Sequence, residues 1–401
     1  MLSDTAFPVI KATLPVVGEH IQDIAQRFYG HMFQARPDLL DGLFNRGNQA
    51  DGRQQQALAG SIAAFAGFLV DKPDQLPDHL LSRIAHKHVS LGLSPEQYQV
   101  VHDHLMWAIG DVLGEAVTAE VAAAWDEVYW LMANMLITKE RGLYNAVHLS
   151  PGTIWRTWRV ARRIQETADV VTFIVERTDD REVKPSLPGQ YVTIRMRMHD
   201  GVHQPRQYSL TRADDGRHRQ FAVKRVHGLP TPDGEMSNLL HDEVQVGDEV
   251  ELSVPFGDVV LEYTDRPVVL ASAGIGITPM AGMLSHLVKS GSQRQVMFLH
   301  ADDSPATFPL RAQVTEDLAR LPDGSLSTWF LEPASGTDPG PGFQGFMDVT
   351  AVDLPEDAEY YLCGPLPFLQ SVRSALVATG VPAKDIQYEV FGPDLWLADF
   401  Q

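Results

Sequence analysis

Cysteine is almost absent: Cys363 is the one thiol in 401 residues. That excludes an internal disulfide framework, a cysteine-ligated iron–sulfur cluster and a cysteine zinc site. Basic charge is short too. Lysine and arginine number 32 against 52 aspartates and glutamates, a net charge of −20, which argues against nucleic acid or an anionic membrane as partner. No apolar run has bilayer length; Ser61–Val70 is far too short. Met1-Leu2-Ser3-Asp4-Thr5 lacks the basic opening and apolar core of a secretory signal. A soluble cytoplasmic protein is expected. Repeats are missing, and the one low-complexity patch, Pro333–Gly345, reads as a surface loop. Apolar material, by contrast, is ample at 44%, and the length calls for two or three domains.

Three textures follow one another. Residues 1–148 read as all-α: Val9–Phe33, Gln54–Val70, Pro95–Leu113 and Val121–Tyr144 carry apolar residues at helical spacing, with breaks at Arg36-Pro37, Lys72-Pro73 and Ser94-Pro95. Ser150-Pro151-Gly152 is a linker. Residues 153–263 hold short β-rich runs (Trp158–Ile164, Val170–Val175, Tyr191–Met196, Gln207–Thr211, Gln220–Arg225, Glu249–Val254) separated by turn-formers, the pattern of a small antiparallel barrel. His227–Gly234 reads as a loop. Residues 266–401 alternate strand and helix, from Val268–Ala273 to Ile386–Phe391, as in an α/β fold with a parallel sheet.

Chemistry gathers in two motifs of the later parts. Arg206-Gln207-Tyr208-Ser209-Leu210-Thr211 alternates along a strand, sending Arg206, Tyr208 and Leu210 to one face and the others to the opposite one. A cation, a flat ring and a hydroxyl so placed suit a phosphate, an aromatic cofactor and a ring nitrogen; an exposed half-polar strand reads much the same. Ala273-Gly274-Ile275-Gly276-Ile277-Thr278-Pro279 follows an apolar strand and opens a helix. Its glycines allow a pyrophosphate close to the backbone and the helix N-terminus favours the charge. The third glycine of the usual dinucleotide fingerprint is missing, so a glycine-rich turn without a ligand stays open. Cys363-Gly364-Pro365 follows a strand at the same sheet edge; a nicotinamide contact and a plain buried residue are both open. With no cysteine pair, redox chemistry is left to organic cofactors or haem.

On Arg206–Thr211, Gly234-Glu235-Met236-Ser237, Gly274–Pro279 and Cys363-Gly364-Pro365, residues 155–401 resemble a ferredoxin-reductase-type module. The resemblance implies FAD and NAD(P) binding. Arg206 would meet the FAD phosphates, Tyr208 would stack on the isoalloxazine, and Gln207 and Ser209 would lie against the flavin. Gly234 and Ser237 would sit at the pyrophosphate and Tyr191 at the adenine end. Gly274, Gly276, Thr278 and Pro279, with Cys363, Gly364 and Pro365, would hold the nicotinamide dinucleotide.

A helical part beside such a module suggests an electron acceptor, and haem needs an axial histidine. His79, His86, His88, His102 and His104 are candidates; two residues apart, His86 and His88 cannot share one pocket, and the histidines other than the ligand are expected to be solvated surface residues. Arg27-Phe28-Tyr29, Phe44-Asn45, Gln54 through Leu58, Lys87-His88, Pro95-Glu96-Gln97-Tyr98, Lys139-Glu140 with Tyr144, and Tyr388-Glu389-Val390-Phe391-Gly392-Pro393 extend the resemblance. The whole chain resembles the bacterial flavohaemoglobins. That resemblance makes His88 the iron ligand, with Tyr98 and Glu140 behind it. Tyr29, Gln54 and Leu58 would form the distal side, although Gln55 and Gln56 blur the register of Gln54. Phe44 would pack on haem b, Phe391 would cover the flavin, and Lys87 and Glu389 would form a polar link between the prosthetic groups.

The activity so implied is that of a nitric oxide dioxygenase: NAD(P)H reduces FAD, FAD reduces the haem iron, and haem-bound oxygen turns nitric oxide into nitrate. A haem/FAD reductase of ferric iron, quinones or lipid hydroperoxides, and a gas- or lipid-binding globin with a maintenance reductase, are the alternatives. Expected partners are NO, O2 and NAD(P)H, with a lipid in the distal pocket left open; no nucleic acid or membrane insertion, and a monomer, are expected. The loop His227–Asp233 is longer than in the shortest relatives and Asp394–Gln401 runs past the common ending. Asp302, Asp303, Leu331 and Glu332 follow the second and third nucleotide strands where a 2′-phosphate would want a cation, which favours NADH over NADPH.

Overall fold

The computed structural model describes residues 1–44, 53–181, 183–228, 232–332 and 342–392, with the backbone alone for 53–57, 59 and 78–80. The described chain forms two compact units, 1–155 with 195–206, and 156–194 with 207–392.

The first unit is built on helices α1 (Ala6–Glu19), α2 (Ile21–Ala35), α3 (Arg53–Asp71), α4 (Asp78–Leu91), α5 (Glu96–Leu113) and α6 (Ala119–Ala146). The prolines mark the expected breaks: Pro37 opens a 3-10 turn, Pro73 follows α3 and Pro95 is the N-cap of α5. Gly92 ends α4 at φ 79°, a left-handed position that glycine adopts without a Cβ penalty. Thr118 caps α6, its hydroxyl accepting from the Val121 N–H at 3.3 Å, a contact worth about 1 kcal/mol. The expected run Val9–Phe33 is instead two helices, broken at His20. Ile10, Val17 and Ile24 are all buried and stay in helical phase across the break, so the apolar pattern gives no sign of it. The helices close over Phe28, Met32, Phe65, Leu81, Leu105 and Trp125. Full burial of each such side chain contributes roughly 1.5–3 kcal/mol.

The chain then supplies two six-stranded sheets. The first, in the order β4-β3-β6-β1-β2-β5, comprises β1 (Trp155–Thr167), β2 (Val170–Arg177), β3 (Tyr191–Arg197), β4 (His203–Ser209), β5 (His218–Lys224) and β6 (Glu249–Ser253), with α7 (Glu235–Asp242) between the last two. β1 pairs antiparallel with β2 through two bulges, at Val160/Arg162 and Gln165/Thr167; such bulges bend a strand and deepen its twist. β4 starts four residues before the expected Gln207 and contains Pro205. It is an edge strand, where a residue without an N–H is tolerated.

The second sheet runs β10-β9-β8-β7-β11-β12, all parallel. Its strands are β7 (Val268–Ala273), β8 (Val296–Asp302), β9 (Gly324–Phe330), β10 (Gly342–Gln344), β11 (Glu359–Cys363) and β12 (Ile386–Glu389), and α8 (Ile277–Lys289), α9 (Arg311–Ala319) and α10 (Leu366–Ala378) lie between them in sequence. β7 and β11 are buried almost throughout, as parallel strands covered on both faces must be. Of the expected loop Pro333–Gly345, residues 333–341 lie outside the described residues, and Gly342–Gln344 is a strand, not loop. Phe343 stacks on Trp329 across β9 and β10 at 4.8 Å, which explains the pairing. The 394–401 extension also lies outside the described residues.

Candidate functional site

His88 lies in the last turn of α4, and α6 brings a carboxylate to it. His88 Nδ1 is 2.7 Å from Glu140 Oε1 and 3.0 Å from Tyr98 Oη. Tyr98, from the first turn of α5, donates to the same carboxylate oxygen at 2.5 Å. Glu140 is 3% exposed, a carboxylate held away from solvent and met by two donors. Burial first, then the Glu140 charge and hydrogen bond, pushes the Tyr98 phenol far above its ordinary value and keeps it a neutral donor. An ionised carboxylate only accepts, so the imidazole proton belongs on Nδ1. Nε2 is left with its lone pair and has no hydrogen-bond partner among the described residues. That suits ligation of a metal: one nitrogen is oriented by a carboxylate while the other is free to bind. Two further phenols brace the frame. Tyr129 donates to Tyr98 O at 2.6 Å and Tyr144 to Leu93 O at 2.7 Å.

Tyr29 is buried in α2 among rings: Phe28 at 4.7 Å, Phe33 at 5.6 Å and Phe44 at 6.1 Å between centroids. Phe44 and Leu58 are partly buried against the same apolar core that contains Tyr29 and Tyr98. Gln54 falls on α3, but its side chain lies outside the described residues, as does that of His79. His86 and Lys87 are half-buried on α4.

The other histidines correct the surface expectation. The His102 side chain is only 15% exposed, bonded through Nε2 to Asp126 at 2.7 Å and through Nδ1 to Asp103 at 3.0 Å. His104 shares a 2.9 Å contact with His31, whose ring stacks on Trp107. Both point to neighbours on α2 or α6, which helical spacing within α5 could not show.

In the second unit the end of β4 meets α8. A Cβ at Gly282 would fall 2.1 Å from Leu210 O, and one at Gly189 (φ 102°) 2.3 Å from Val259 O and 2.7 Å from the Met283 side chain. Two glycines thus let the Pro188–Tyr191 turn, the Tyr208–Leu210 segment and α8 converge. The Gly282 signal was legible as a glycine inside an apolar helix and was missed. Tyr208 is half-buried and stacks on Phe221 at 5.8 Å; Ser209 is buried. Gln207 Nε2 donates to Thr193 Oγ1 at 3.4 Å. The Arg206 guanidinium donates to Pro205 O and Gln204 Oε1. Tyr191 is 8% exposed, its ring against Gly257. Gly234 precedes α7, where Ser237 Oγ accepts from Val226 N–H at 3.1 Å and donates to Gly234 O at 3.0 Å. The Ser237 hydroxyl closes this turn itself.

The glycine loop forms a 3-10 turn, Gly274–Gly276, directly before α8. Gly276 touches the next strand: a Cβ there would stand 2.3 Å from Cys363 O. A Cβ at Gly364 would stand 2.7 Å from the Phe368 ring and 3.1 Å from Ala273 Cβ, so the loop and Cys363-Gly364-Pro365 share one edge. Thr278 donates its hydroxyl back to Ile275 O at 3.0 Å, and Pro279 is buried in the first turn of α8. Burial, then the charge of Glu389, raises the Cys363 thiol well above its ordinary value, so it is inert as a thiolate. Glu389 pairs with Cys363 across β11 and β12; Phe391, two residues on, is 45% exposed.

A helical unit with an oriented histidine, followed by an antiparallel sheet and a parallel α/β sheet with a glycine-rich loop, is the architecture of a globin joined to a pyridine-nucleotide oxidoreductase. The family comparison agrees: residues 26–136 match the globin model and 270–374 the oxidoreductase NAD-binding domain. The chain is 41% identical to the flavohemoprotein of Chromobacterium violaceum, with 98% of each covered, and 39% identical to that of Rhizobium meliloti, covering 99% of this chain and all of that one. Its fold matches the flavohemoglobin of Malassezia yamatoensis, solved with FAD and heme bound, at a TM-score of 0.89 and 40% identity over 98% of this chain and 100% of that one. The FAD/NAD binding domain of a Vibrio cholerae nitric oxide dioxygenase matches at 0.55 and 36% identity, over 59% of this chain and 99% of that one. The chain belongs to the flavohemoprotein family.

Proposed function

We propose that the chain is a nitric oxide dioxygenase consuming O2 and NAD(P)H, with a globin part (1–148), a flavin part (153–263) and a nucleotide part (266–401). When bound, haem b would supply an iron for gas chemistry, and FAD would divide the two electrons of a nicotinamide into single ones. The observation that carries the reading is the His88–Glu140–Tyr98 cluster. A buried carboxylate at 2.7 Å from Nδ1 makes the imidazole more electron-donating, which favours oxygen activation over simple storage.

The residues divide the work. His88 offers Nε2 to the iron, while Glu140 and Tyr98 hold its proton on Nδ1. Tyr29 donates a hydrogen bond to the oxygen substrate, with Gln54 as a second donor. Leu58 and Phe44 keep the pocket apolar and exclude water. Tyr208 and Ser209, with Arg206 and Gln207, orient the flavin, and Gly234 and Ser237 shape the turn beside its phosphates. The Gly274–Gly276 turn gives backbone N–H groups at the start of α8 to the dinucleotide pyrophosphate. Cys363-Gly364-Pro365 floors the nicotinamide end, and Phe391 screens the flavin from water.

The test is stoichiometry. Full-length protein with both prosthetic groups, given NADH, O2 and nitric oxide, is expected to form nitrate rapidly and in step with NADH use. Fast reduction of ferric iron or quinones by a variant lacking haem, without nitrate, would make the protein a general reductase. Tight gas or lipid binding with slow turnover would make it a binding protein.

A further inference from the structure

The second unit holds a cleft of about 580 Å³ that the proposed chemistry does not use. β1, β2 and β5 line it through Arg162, Ile174 and Arg219, the β4–β5 loop through Arg212, and α9 through Gln313 and Glu316. The volume is typical of a small-molecule site. Hydrogen bonds tie the two walls together. Gln220 Nε2 donates to Gln313 Oε1 at 2.7 Å, Gln313 Nε2 to Thr211 O at 2.6 Å, and the Leu310 N–H to Glu166 Oε2 at 3.2 Å. Neither the Arg206–Ser209 segment nor the Gly274–Gly276 turn lines the cleft.

Two of its three acids are engaged, whereas its cations keep free donors. Glu166 Oε1 accepts from Thr172 Oγ1 at 2.8 Å and Oε2 from Leu310. Asp215 Oδ1 accepts from the Arg217 and His218 N–H groups at 2.8 and 2.6 Å, and Oδ2 lies 2.9 Å from His218 Nδ1. Glu316, the third acid, is exposed to solvent. Arg219 is 2% exposed, its guanidinium 4.6 Å from the centroid of the Trp158 ring. Its Nε donates to Asp214 Oδ2 at 3.0 Å, but its Nη2 is buried without a hydrogen-bond partner among the described residues. A guanidinium stays protonated even when buried, and a buried charged donor left unpaired is costly unless something else accepts from it. Arg162 makes no hydrogen bond or ion pair among the described residues. Arg212 has one long contact, 3.9 Å to Asp317 Oδ1.

We propose that this cleft binds a small polyanion through its phosphate or carboxylate oxygens, held by Arg162, Arg212 and the unpaired Nη2 of Arg219. Planar guanidinium groups meet such oxygens with paired N–H donors. The site is separate from those proposed for the flavin and the dinucleotide, and its occupant is a third small molecule. Because strands of the first sheet and helix α9 of the second both line it, the bound anion braces one against the other.

The experiment uses the full chain with both prosthetic groups and saturating NAD+, so that the phosphate sites of the cofactors are filled. Inorganic phosphate and citrate are each titrated by calorimetry, and melting temperatures are compared with those in potassium chloride of equal ionic strength, which removes general screening. One-to-one binding and a higher melting temperature than in chloride are expected with at least one of the two. Stronger binding of phosphate makes the natural ligand a phosphorylated one, and stronger binding of citrate makes it a polycarboxylate. Arg162→Gln and Arg212→Gln, both changes outside the core, should each weaken binding about ten- to a hundredfold, the size of one charged hydrogen bond. Arg219→Lys, which keeps a charge for Asp214 but loses the forked donor, should weaken it likewise. Heats and melting shifts equal to those of chloride for both anions would overturn the inference. So would an affinity that survives Arg162→Gln and Arg212→Gln combined, or binding that occurs only when NAD+ is left out.

Discussion

Replacing Glu140 with Gln separates charge from hydrogen bonding at the proposed iron ligand. Both donors, His88 Nδ1 and Tyr98 Oη, converge on the single oxygen Oε1, and a glutamine keeps an acceptor oxygen of the same reach. The variant therefore retains both contacts and loses the negative charge. A hydrogen bond to a charged acceptor nets about 1.5–3 kcal/mol against about 0.5–1.5 for a neutral one, so the charge accounts for about 1–1.5 kcal/mol at this imidazole. The carboxylate favours the more positive oxidised iron. Its loss should raise the one-electron midpoint potential by about 40–65 mV, since 1.4 kcal/mol corresponds to about 59 mV. Glu140→Ala goes further and leaves two buried donors unpaired, at about 1–3 kcal/mol each. It should also loosen the haem, seen as a lower melting temperature of the Soret band. Spectroelectrochemical titration reads the first effect and thermal unfolding the second. A potential unmoved in both variants would refute the claim that this carboxylate tunes the iron ligand.

Tyr29→Phe should speed oxygen dissociation and lower nitrate turnover without altering haem content, and stopped-flow release at an unchanged rate would remove Tyr29 from that role. His88→Ala should lose stable haem but keep NADH-dependent dye reduction. Gly282→Ala must displace Leu210 O from 2.1 Å; a cost of about 1–3 kcal/mol and weaker flavin retention are expected, read by melting temperature and released FAD. Gly30→Ala on α2 meets nothing within 4 Å and should stabilise by about 0.5–1 kcal/mol. Burial, aided by Lys289, lowers His286 from 6.5 to about 4. Below pH 6.5 the unfolded chain then takes up a proton that the folded chain refuses, so stability falls as the pH drops toward 4, by about 1–2 kcal/mol after discounting for partial exposure. Denaturation of His286→Gln across that range should show a flatter profile.

Legibility in the sequence followed the range of the signal. Helix, strand and loop order came through because apolar periodicity and proline breaks are local; the strand–glycine turn–helix unit came through because its glycines, helix start and preceding strand lie within a dozen residues. Val9–Phe33 misled because seven-residue apolar spacing runs in phase across His20. β4 was begun too late because Pro205 argues against a strand until the strand is known to lie at an edge. His102 and His104 were read as solvated because their partners come from other helices, Asp126 on α6 and His31 on α2.

The sequence by itself determined the order of three structural textures, the placing of the glycine-rich loop before its helix and the family resemblance, all of which rest on neighbours in the chain. Only the tertiary structure decided which polar groups act together. Glu140 meets His88 from 52 residues away, Ser272 meets His300 from 28, and Gly276 touches Cys363 across two parallel strands. Gly30 and Gly282 look alike as glycines within helices, yet one faces open space and the other a backbone carbonyl. The reason is physical: local propensity depends on a residue and its near neighbours, whereas burial, shared protons and close backbone approach depend on what the fold lays against it.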